Sequence, residues 1–202
     1  MPAYNCGDFI ARSIASVQAQ TYANWELLIA DDCSTDNTYE VVSKICAEDN
    51  RVKYLKMPQN GGAAAARNLS IENATGRYMA FLDSDDLWYP QKLEKQIAFM
   101  QQNNCGFSCT AYDCVNEDGE KTGRIITPFK KASYNLCLYY GNCIGNSTAM
   151  YDASKHGKFF VPAIHKRNDF ALWLQVLKKE KYAYGLQEVL ASYRNRKASL
   201  SK

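Results

Sequence analysis

Two short apolar runs in the first half of the chain each lead directly into a cluster of acidic residues. One run, residues 25–30, leads into Asp31 and Asp32, and the other, residues 78–82, leads into residues 83–86. Apolar runs of this length are typical of strands that are buried on both faces of a parallel sheet. In such sheets ligands bind beyond the carboxyl ends of the strands. The position of the two acidic clusters therefore predicts a ligand site at one edge of a parallel sheet.

Helical patterns alternate with strand patterns through this half of the chain. Apolar spacing, capping residues and alanine content predict helices over residues 7–20, 36–45, 63–74 and 90–100, with Gly76 as the C-cap of the third. A further strand is predicted over residues 52–55. Strands and helices in this order imply right-handed crossovers and a sheet with helices on both faces. The predicted fold class is therefore α/β, with a Rossmann-like, mostly parallel sheet.

The second half of the chain has a different pattern. Strands are predicted over residues 107–115, 123–127, 147–151 and 182–193, and one clear helix over residues 169–179. The turn-rich residues 116–119 would join the first two of these strands. We find neither an internal repeat nor a linker rich in Pro, Gly or Ser, and 202 residues suffice for one good core. The prediction is a single domain over residues 1–202, with a smaller mixed region in its second half.

The charge balance is that of an ordinary soluble protein. Charged residues make up 22% of the chain and the net charge is +3, which argues against a nucleic-acid partner. No apolar run approaches the roughly 20 residues that span a bilayer, and residues 1–5 do not have the composition of a signal peptide. We therefore expect a cytoplasmic protein. Its basic surplus comes late in the chain, where it could meet a phosphate-rich ligand or an anionic membrane surface, or simply be solvated.

The eight cysteines indicate neither a disulfide framework nor a zinc site. They are scattered through otherwise ordinary segments, and no two Cys-x-x-Cys pairs stand at zinc spacing. We expect all eight to be reduced, and most of them to be buried as small apolar residues.

The second acidic cluster carries the strongest chemical signal. Asp83 and Asp85 form an Asp-x-Asp pattern where a buried strand ends, so their carboxylates would lie together at the sheet edge. Like charges repel, and a nearby cation stabilises such a pair. Hard carboxylate oxygens suit Mg²⁺ or Mn²⁺, which also bind the phosphates of nucleotides. The alternative is a turn with helix-capping aspartates, and Asp86 in particular could cap the helix that follows it.

The first acidic cluster and a glycine pair are weaker signals for a nucleotide. Asp32 could accept a hydrogen bond from the N–H of a base, whereas N-capping already accounts for residues 34–36. Gly61 and Gly62 permit the backbone to approach a ligand, and the helix after them favours anions at its N-terminus. Arg67 on that helix could reach a ribose or phosphate, or could pair with an acidic neighbour. This loop is neither a Walker A motif nor a Gly-x-Gly-x-x-Gly motif.

Two later positions are ambiguous when they are taken alone. Asp169 stands where a helix begins, and a capping role explains it at least as well as a catalytic one. Arg194 and Arg196 could neutralise a departing diphosphate, or could belong to a solvated basic tail.

Taken together and in order, these segments closely resemble family 2 of the inverting glycosyltransferases, which have the GT-A fold. The resemblance is carried by short stretches at residues 1–5, 20–22, 25–27, 31–36, 61–68, 76–78, 81–86 and 168–169. The pattern is most similar to bacterial enzymes that build capsule, exopolysaccharide or lipopolysaccharide chains. It implies a nucleotide-sugar-binding half over residues 1–104 and an acceptor-binding half over residues 105–202.

The resemblance also implies a role for each candidate residue. The nucleotide would contact residues from four segments of the chain, namely Pro2, Ala3, Tyr4, Asp32, Arg67, Asp83 and Ser84. Within that set Tyr4 would stack on the base and Asp32 would bond it, the base most often being uracil. Asp85 would bind the divalent metal, Mn²⁺ or Mg²⁺, and Asp169 would be the catalytic base. Either Arg194 or Arg196 would help to stabilise the diphosphate.

The chain departs from the family pattern in two places. The family usually has Glu-Asp where this chain has Asn168 and Asp169, so the aspartate is kept and only its supporting neighbour differs. Family members also carry several β residues before the motif at residues 1–5. We therefore expect the first strand to be short or absent, and the start of the sequence to be trimmed.

The function implied by the resemblance is a metal-dependent, inverting transfer of a sugar from a nucleoside-diphosphate donor, UDP above all, to an acceptor hydroxyl. In bacterial cell-surface polysaccharide synthesis the acceptor would be a saccharide or a lipid-linked saccharide, met peripherally at the inner membrane face.

Two alternatives stay open. A nucleotidyltransferase would normally need a triphosphate-binding loop near the N-terminus, which residues 4–7 do not supply. A non-catalytic nucleotide-sugar-binding protein would be expected to lack Asp85 or Asp169, and both are present. A purely structural protein would have no reason to carry acidic clusters at successive strand ends.

Overall fold

The computed structural model describes residues 1–164 and 166–196 of the chain. Lys197 and Lys202, which belong to the late basic surplus, lie outside these ranges. The described residues form seven α-helices, namely α1 (Gly7–Gln18), α2 (Thr38–Glu48), α3 (Gly62–Asn73), α4 (Lys92–Gln102), α5 (Tyr134–Tyr140), α6 (Ala153–His156) and α7 (Asn168–Lys179). A short 3₁₀ helix spans Asn146–Thr148.

The same residues form ten strands, namely β1 (Pro2–Ala3), β2 (Leu27–Asp31), β3 (Val52–Lys56), β4 (Tyr78–Ala80), β5 (Leu87–Trp88), β6 (Phe107–Val115), β7 (Lys121–Ile126), β8 (Lys131–Ala132), β9 (Met150–Asp152) and β10 (Ala183–Arg194). Strands β1, β2 and β3 form a parallel sheet in that order. The other strands form a mixed sheet in the order β4-β9-β6-β10-β5, in which β7 also pairs with β6 and β8 with β10.

Strand β2 is buried over its whole length because helices cover both faces of the parallel sheet. Ile29 lies in one buried cluster with Ile10 of α1 and Val42 of α2. Ala30 points to the opposite face, as successive residues of a strand do, and it packs with Ala66 of α3. The α/β class, with helices on both faces of a parallel sheet, is therefore confirmed in this half of the chain.

The mixed sheet is built around β6 and β10, its two long strands. These two strands pair in parallel, whereas the other pairs of this sheet are antiparallel. Helix α7 covers the sheet with Trp173, whose ring packs edge-on against Phe81 with the ring centroids 5.0 Å apart. Phe107 of β6 lies 5.5 Å from the same tryptophan ring. The mixed sheet is built mainly from the second half of the chain, as predicted, but β4 and β5 come from the first half. The prediction that the strand before the second acidic cluster belongs to the parallel sheet was wrong, because β4 pairs antiparallel with β9.

One buried cluster joins the parallel sheet to the mixed sheet. Leu82, Trp88 and Met150 belong to the same cluster as Ile10 and Ile14 of α1. Because apolar burial is the main favourable contribution to folding, this shared cluster is compatible with a single domain. The domain bounds and the division into a nucleotide-binding and an acceptor-binding half stay predictions.

The end of α3 differs from the predicted one. The helix ends at Asn73, and Ala74 already has extended backbone angles, so Gly76 is not its C-cap. The chain is held after the helix by Thr75, whose backbone N–H and hydroxyl both donate to Glu26 Oε1, at 2.6 Å and 2.7 Å. This tertiary contact ends the helix before the glycine is reached.

Other local expectations had mixed outcomes. The first strand comprises only Pro2–Ala3, which confirms that it is short. The strand predicted over residues 147–151 begins only at Met150, because the residues before it form the 3₁₀ helix. All eight cysteines are free, as expected. Within residues 1–164 and 166–196, no helix has the length and apolar character that a bilayer crossing requires.

Candidate functional site

The loops that follow β1 and β2 are fastened to each other by hydrogen bonds. Asn5 Oδ1 accepts from the Thr35 backbone N–H at 2.8 Å, and the Asn5 N–H donates to Ser34 Oγ at 2.9 Å. Asp36 Oδ2 accepts from the Gly7 N–H at 2.9 Å, while its other oxygen accepts from the first amide of α2 at 3.0 Å. Asp36 therefore serves the starts of two helices. Ser34 and Thr35, which were expected to cap α2, instead fix the loop after β1.

The residues expected around the nucleobase lie at the ends of β1 and β2. Ala3 is buried, and its carbonyl accepts from the Asp32 N–H at 2.8 Å. Pro2 pairs with Ala30 in the parallel sheet. The Tyr4 side chain is 54% exposed, so its ring is accessible for stacking. The structure thus brings Tyr4 and Asp32 to neighbouring strand ends, and their contacts with a base stay predictions.

Asp32 holds the glycine loop at the edge of the sheet. Its Oδ1 accepts from the Gly61 N–H at 2.7 Å and its Oδ2 from the Gly62 N–H at 2.8 Å. Its carbonyl also accepts from Asn60 Nδ2 at 2.9 Å. Gly62 has a φ of +80°, which favours glycine, and a Cβ on Gly61 would lie 2.9 Å from the Ala65 Cβ. Each carboxylate oxygen can accept a further hydrogen bond, but Asp32 is only 2% exposed, so its contact with a base stays a prediction.

Asp31, beside it, accepts hydrogen bonds from within the protein. Its Oδ1 accepts from the Ser34 hydroxyl at 2.5 Å, and its Oδ2 accepts from the Tyr54 hydroxyl at 2.5 Å. Burial and the hydrogen bond to Asp31 together raise the pKa of Tyr54 above its usual value. Side chains alternate between the two faces of a strand, and this alternation is the signal that distinguishes Asp31 from Asp32.

Arg67 connects the second acidic cluster to the second half of the chain. Its guanidinium donates from NH2 to Asp83 Oδ1 and from NH1 to Asn168 Oδ1, both at 2.7 Å. The Arg67 side chain is only 11% exposed. Its Nε is buried without a hydrogen-bond partner in the described part of the chain. Of the two roles considered for Arg67, pairing with an acidic neighbour is observed, and the contact with a nucleoside stays a prediction.

Asp83 and Asp85 bring two carboxylates to the same turn. Asp83 Oδ1 accepts from Asn146 Nδ2 at 2.8 Å, in addition to Arg67. Asp85 Oδ2 lies 3.3 Å from Arg196 NH1, and both of these side chains are 25% exposed. Burial and the charge of Asp83 raise the pKa of Asp85, and Arg196 acts in the opposite direction. The two aspartates therefore repel each other in the absence of a further cation.

A divalent cation fits this pair of carboxylates. Within the described ranges, no three His, Cys, Asp or Glu side chains are grouped so as to form an all-protein metal site. Mg²⁺ in nucleotide enzymes is usually bound by one or two carboxylates together with substrate phosphates and water. Asp83 and Asp85 offer hard oxygen ligands in that number. Burial first, and then the charge of Asp83, raise the pKa of Asp85, and a nearby cation would act in the opposite direction.

The turn that carries these aspartates is held from three sides. The Ser13 hydroxyl of α1 donates to the Ser84 carbonyl at 2.9 Å. The Asp83 N–H donates to Ser147 Oγ at 3.1 Å, and the Asp86 N–H donates to the Asp83 carbonyl at 3.1 Å. The turn is therefore positioned before any ligand binds, as a binding site requires.

Asp86 and Arg194 are each only 2% exposed and hold this turn from the protein interior. Asp86 accepts from the Ser147 hydroxyl at 2.5 Å and from the Arg194 N–H at 2.9 Å. It does not cap the following helix, because its carboxylate is packed into the protein interior. The Arg194 guanidinium donates to the carbonyls of Asp85 and Glu117, at 3.0 Å and 2.9 Å. Arg194 is thus not part of a solvated tail, and a diphosphate contact by Arg194 or Arg196 stays a prediction.

Asp169 is held by a residue that the sequence did not single out. It lies in the first turn of α7, whose N-cap residue, Arg167, makes no side-chain capping bond and has a φ of 57°. Asp169 Oδ2 accepts from Asn142 Nδ2 at 2.8 Å. Its neighbour Asn168 is the residue bound by Arg67. This arrangement links Asp169 to the acidic turn, and its role as a base stays a prediction.

Three supporting residues come from one stretch that sequence reasoning passed over. Asn142, Asn146 and Ser147 hold Asp169, Asp83 and Asp86 respectively. A signal was available, because residues 141–146 are rich in Gly and Asn and lie between an apolar helix and a strand. Loops of that composition often carry binding residues.

A cavity of about 760 Å³ lies beside the acidic site. Its lining is mostly apolar and comes from residues around β2, α3, β4 and α4, together with Pro2, Arg67 and Asn146. The acidic residues of the two clusters and Asp169 are not among its lining residues within the described chain. The loops at the strand ends are therefore the candidate ligand site, rather than this cavity.

Comparisons with known proteins identify the family of the chain. The family model described as glycosyl transferase family 2 matches residues 1–160. The chain is 42% identical over 193 residues to the putative teichuronic acid biosynthesis glycosyltransferase TuaG of Bacillus subtilis. This alignment covers 96% of the present chain and 76% of TuaG. It is 41% identical over 203 residues to WfgD of Escherichia coli, named as a UDP-Glc:alpha-D-GlcNAc-diphosphoundecaprenol beta-1,3-glucosyltransferase, covering 100% of this chain and 78% of WfgD.

Solved structures share the same fold. Staphylococcus aureus TarS 1–349 in complex with UDP-GlcNAc matches with a TM-score of 0.80 at 20% identity, over 98% of this chain and 58% of that one. The mannosyltransferase PcManGT from Pyrobaculum calidifontis, in complex with GDP-Man and Mn²⁺, matches with a TM-score of 0.70 at 19% identity. This match covers 98% of the present chain and 56% of PcManGT. The chain therefore spans somewhat more than half the length of these structures, and the predicted GT-A fold is confirmed.

Proposed function

Because this chain belongs to glycosyl transferase family 2, we propose that it moves a sugar from a nucleoside-diphosphate donor, UDP above all, to an acceptor hydroxyl with inversion. The observation that carries this proposal is the double contact of Arg67, which joins Asp83 to Asn168 at 2.7 Å each. The proposed donor-phosphate motif is thereby linked to the residue next to the candidate base through one largely buried guanidinium. A reaction between two bound substrates requires the groups that hold them to keep a fixed relative position, because orientation supplies a large part of the rate.

The nucleoside would bind where β1 and β2 end. Tyr4, with its exposed ring, would stack on the base, and Asp32 would accept a hydrogen bond from the base N–H. The loop that Asp32 holds through Gly61 and Gly62 would set the depth of this pocket. Relatives with UDP in their names make uracil the expected base.

Asp83 and Asp85 would hold a divalent cation, Mn²⁺ or Mg²⁺, together with the donor diphosphate. The cation would supply positive charge beside the phosphate oxygens where negative charge grows. Asp83 keeps its position through Arg67 and Asn146. When the cation binds, the Asp85 carboxylate would give up its contact with Arg196 and bind the cation instead.

Asp169 would act as the base. An acceptor hydroxyl is a poor nucleophile at neutral pH, and a carboxylate within hydrogen-bond reach can take its proton as it attacks. Asn142 holds one carboxylate oxygen of Asp169, and the other would receive the proton. Attack on the face opposite the leaving group inverts the anomeric centre. Arg196, once separated from Asp85, would be a cation close to the departing diphosphate.

The acceptor would be a saccharide, and a lipid-diphosphate-linked saccharide is the specific proposal. Its support is the name of WfgD, whose acceptor carries N-acetylglucosamine on a diphosphoundecaprenol. Such an acceptor lies at a membrane surface, so the protein would have to approach a bilayer from one side. The cellular location proposed is therefore the cytoplasm, with peripheral contact at the inner membrane face.

An exposed apolar surface on the acceptor side supports this approach. The surface, named here the α5 face, consists of large side chains exposed by 42–83%, namely Phe129, Leu138, Tyr139 and Tyr140. The rings of Phe129 and Tyr140 lie 5.4 Å apart, and exposed Lys130 and Lys131 adjoin them. Aromatic side chains favour the headgroup region of a bilayer, and lysines favour anionic lipids. The α5 face would therefore meet the anionic inner leaflet.

The proposed activity can be tested by a transfer assay with UDP-glucose, Mn²⁺ and a synthetic lipid-diphosphate-linked N-acetylglucosamine. We expect metal-dependent release of UDP coupled to a disaccharide whose new linkage is inverted relative to the donor, as read by nuclear magnetic resonance. A product that retains the donor configuration would contradict the single-displacement mechanism. If no donor sugar is transferred but a nucleoside triphosphate and a sugar phosphate yield diphosphate, the chain is a nucleotidyltransferase instead. Tight donor binding without turnover would mark it as a non-catalytic nucleotide-sugar-binding protein.

A further inference from the structure

Two cysteines meet at the end of α5. Cys137 lies in the helix and Cys143 in the loop that follows, and their sulfur atoms are 2.7 Å apart. Cys137 is 1% exposed, whereas Cys143 is only partly buried and can be reached from solvent. Among the described residues this is the one sulfur–sulfur contact within hydrogen-bonding distance. This contact sets the pair apart from the six other free cysteines.

The loop between the two cysteines touches the candidate base. Gly141 ends α5 with a φ of +82°, which allows the chain to turn back on the helix. The next residue, Asn142, donates to Asp169 Oδ2 at 2.8 Å. Asn142 and Cys143 are neighbours in the chain, so a displacement of the Cys143 sulfur is carried directly to the residue that holds Asp169.

We propose that a low-molecular-weight disulfide oxidises Cys137 and Cys143 to a disulfide. In this oxidised form the protein turns over more slowly. The part of this proposal that concerns turnover rests on the proposed function. A disulfide has an S–S length of about 2.05 Å, so the two sulfur atoms need only a small approach from their observed separation of 2.7 Å. Cys137 is the buried residue of α5 and is held by its packing, so Cys143, which lies in the loop, is the residue that moves. Its motion draws Asn142 away from Asp169.

The reaction balances with oxidised glutathione as the oxidant. The Cys143 thiolate attacks one sulfur of the glutathione disulfide, whose S–S bond breaks as one glutathione thiolate leaves. Cys137 then gives its proton to solvent, and its sulfur attacks Cys143 and displaces the second glutathione thiolate. Two protein thiols are oxidised to one disulfide, and one glutathione disulfide is reduced to two thiols. The hydrogen bond with Cys137 lowers the pKa of Cys143, which favours Cys143 as the attacking thiolate.

The first measurement does not depend on activity. The folded protein is incubated with oxidised glutathione, then denatured and treated with N-ethylmaleimide, and its mass is recorded before and after reduction. We expect the eight alkylation sites of the reduced chain to fall by two, with a cross-linked peptide that joins Cys137 to Cys143. The variant Cys143→Ser should form no such peptide, and Cys46→Ser, which removes another partly buried cysteine, should form it normally. A different pairing, or eight alkylated cysteines after exposure, would overturn the proposal.

The second measurement links the disulfide to turnover. In natural protein and in Cys46→Ser we expect oxidation to lower kcat by about tenfold, since small misplacement of a catalytic group has effects of this order. Dithiothreitol should restore kcat, and Cys143→Ser should keep its own kcat throughout. If the disulfide forms and kcat is unchanged, the coupling through Asn142 is wrong. If the reduced protein transfers no sugar at all, the proposed function fails, while the alkylation pattern still decides whether the cysteine pair exists.

Discussion

Arg67 and Asn168 are 101 positions apart in the chain and meet in a 2.7 Å hydrogen bond from the guanidinium NH1 to the amide Oδ1. The same guanidinium binds Asp83 through its NH2, so one side chain spans the acidic turn and the start of α7. The family pattern inferred from the sequence has a glutamate at position 168, where this chain has Asn168. An amide oxygen accepts the same hydrogen bond without a second negative charge beside Asp83, which explains how the departure is accommodated.

The first prediction concerns the candidate base. Replacing Asp169 by Asn should lower kcat by about 10²–10⁴-fold, the usual contribution of general base catalysis, because an amide cannot accept the acceptor proton. Donor affinity, measured by calorimetry with UDP and Mn²⁺, should stay within a factor of about two. The matched control is Asp8→Asn, which changes an exposed aspartate of α1. Near-normal turnover of the Asp169 variant would remove this residue from the base role.

The second prediction concerns the bridge formed by Arg67. Replacing it by Met should lower kcat by more than about tenfold, because Asp83 and Asn168 would lose the group that holds them in one frame. Replacement by Lys should recover only part of the loss, since an ammonium lacks the planar fork that reaches two acceptors at fixed geometry. Steady-state kinetics on both variants measure these changes in kcat. Full recovery by Lys would mean that charge alone matters here.

The third prediction concerns the cation. Replacing Asp85 by Asn should weaken the binding of UDP in Mn²⁺ by about tenfold or more and leave the weaker, metal-free binding unchanged. Isothermal calorimetry with Mn²⁺ and with chelator separates the two quantities. The control is Asp113→Asn, because Asp113 is a buried aspartate of β6 that binds the Tyr89 hydroxyl at 2.7 Å. Equal losses with and without metal would argue for a general structural effect of Asp85.

The fourth prediction concerns a buried lysine in α4. Lys92 is fully buried, and its Nζ has no hydrogen-bond partner within the described residues, although it lies 3.8 Å from the centre of the Trp88 ring. Burial lowers the pKa of Lys92 from its usual 10.5 to about 7. Between these two values the unfolded chain binds more protons than the folded one, so the free energy of unfolding should rise as pH rises from about 7 to about 10.5.

Replacing Lys92 by Met should remove this pH dependence. The variant should be more stable than the natural chain by about 5 kcal/mol below pH 7, with the difference vanishing near pH 10.5. Urea unfolding at several pH values measures both curves. The variant Lys44→Met, at an exposed position of α2, should follow the natural chain at every pH. A constant difference between the Lys92 variant and the natural chain would show that packing, rather than charge, is responsible.

The fifth prediction concerns the α5 face. The double replacement Tyr139→Ser and Tyr140→Ser should reduce cosedimentation with vesicles that contain phosphatidylglycerol, because it removes the two most exposed aromatic rings of that surface. The matched control is Tyr39→Ser on α2, since Tyr39 is a 54% exposed tyrosine in the other half of the chain. Binding that falls equally in both variants, or that is equally strong with neutral phosphatidylcholine, would argue against a specific anionic-membrane surface.

Much of the fold followed from local patterns. The apolar run before Asp31 and the helical spacing of Ile10 and Ile14 correctly predicted β2 and α1, because both patterns record which side chains must be buried. The expected end of α3 at Gly76 was wrong, since Glu26, a residue 49 positions from Thr75, binds the chain first. Local capping preferences are worth about 1 kcal/mol, and a tertiary contact of similar strength can override them.

The acidic turn was also predicted only in part from local sequence. The sequence distinguished Asp83 and Asp85 from their surroundings by the Asp-x-Asp pattern, and it left Asp86 as a helix cap. In the structure Asp86 is buried against Ser147 and Arg194, which come from positions 61 and 108 residues away. A capping aspartate and a buried structural aspartate have the same local sequence, so only the surrounding contacts distinguish them.

The sequence by itself determined most helices and strands of the first half, the family, and the candidate residues Asp32, Asp83, Asp85 and Asp169, but not α5, α6, β5 or β8. These features depend on the periodicity of burial and on short motifs, both of which are properties of neighbouring residues. Only the tertiary structure decided that Arg67 bridges Asp83 and Asn168, that Asn142 holds Asp169, and that Arg194 is buried. Each of these contacts joins side chains that are far apart in the chain, and their hydrogen bonds form only where the folded core brings the strand ends and loops together.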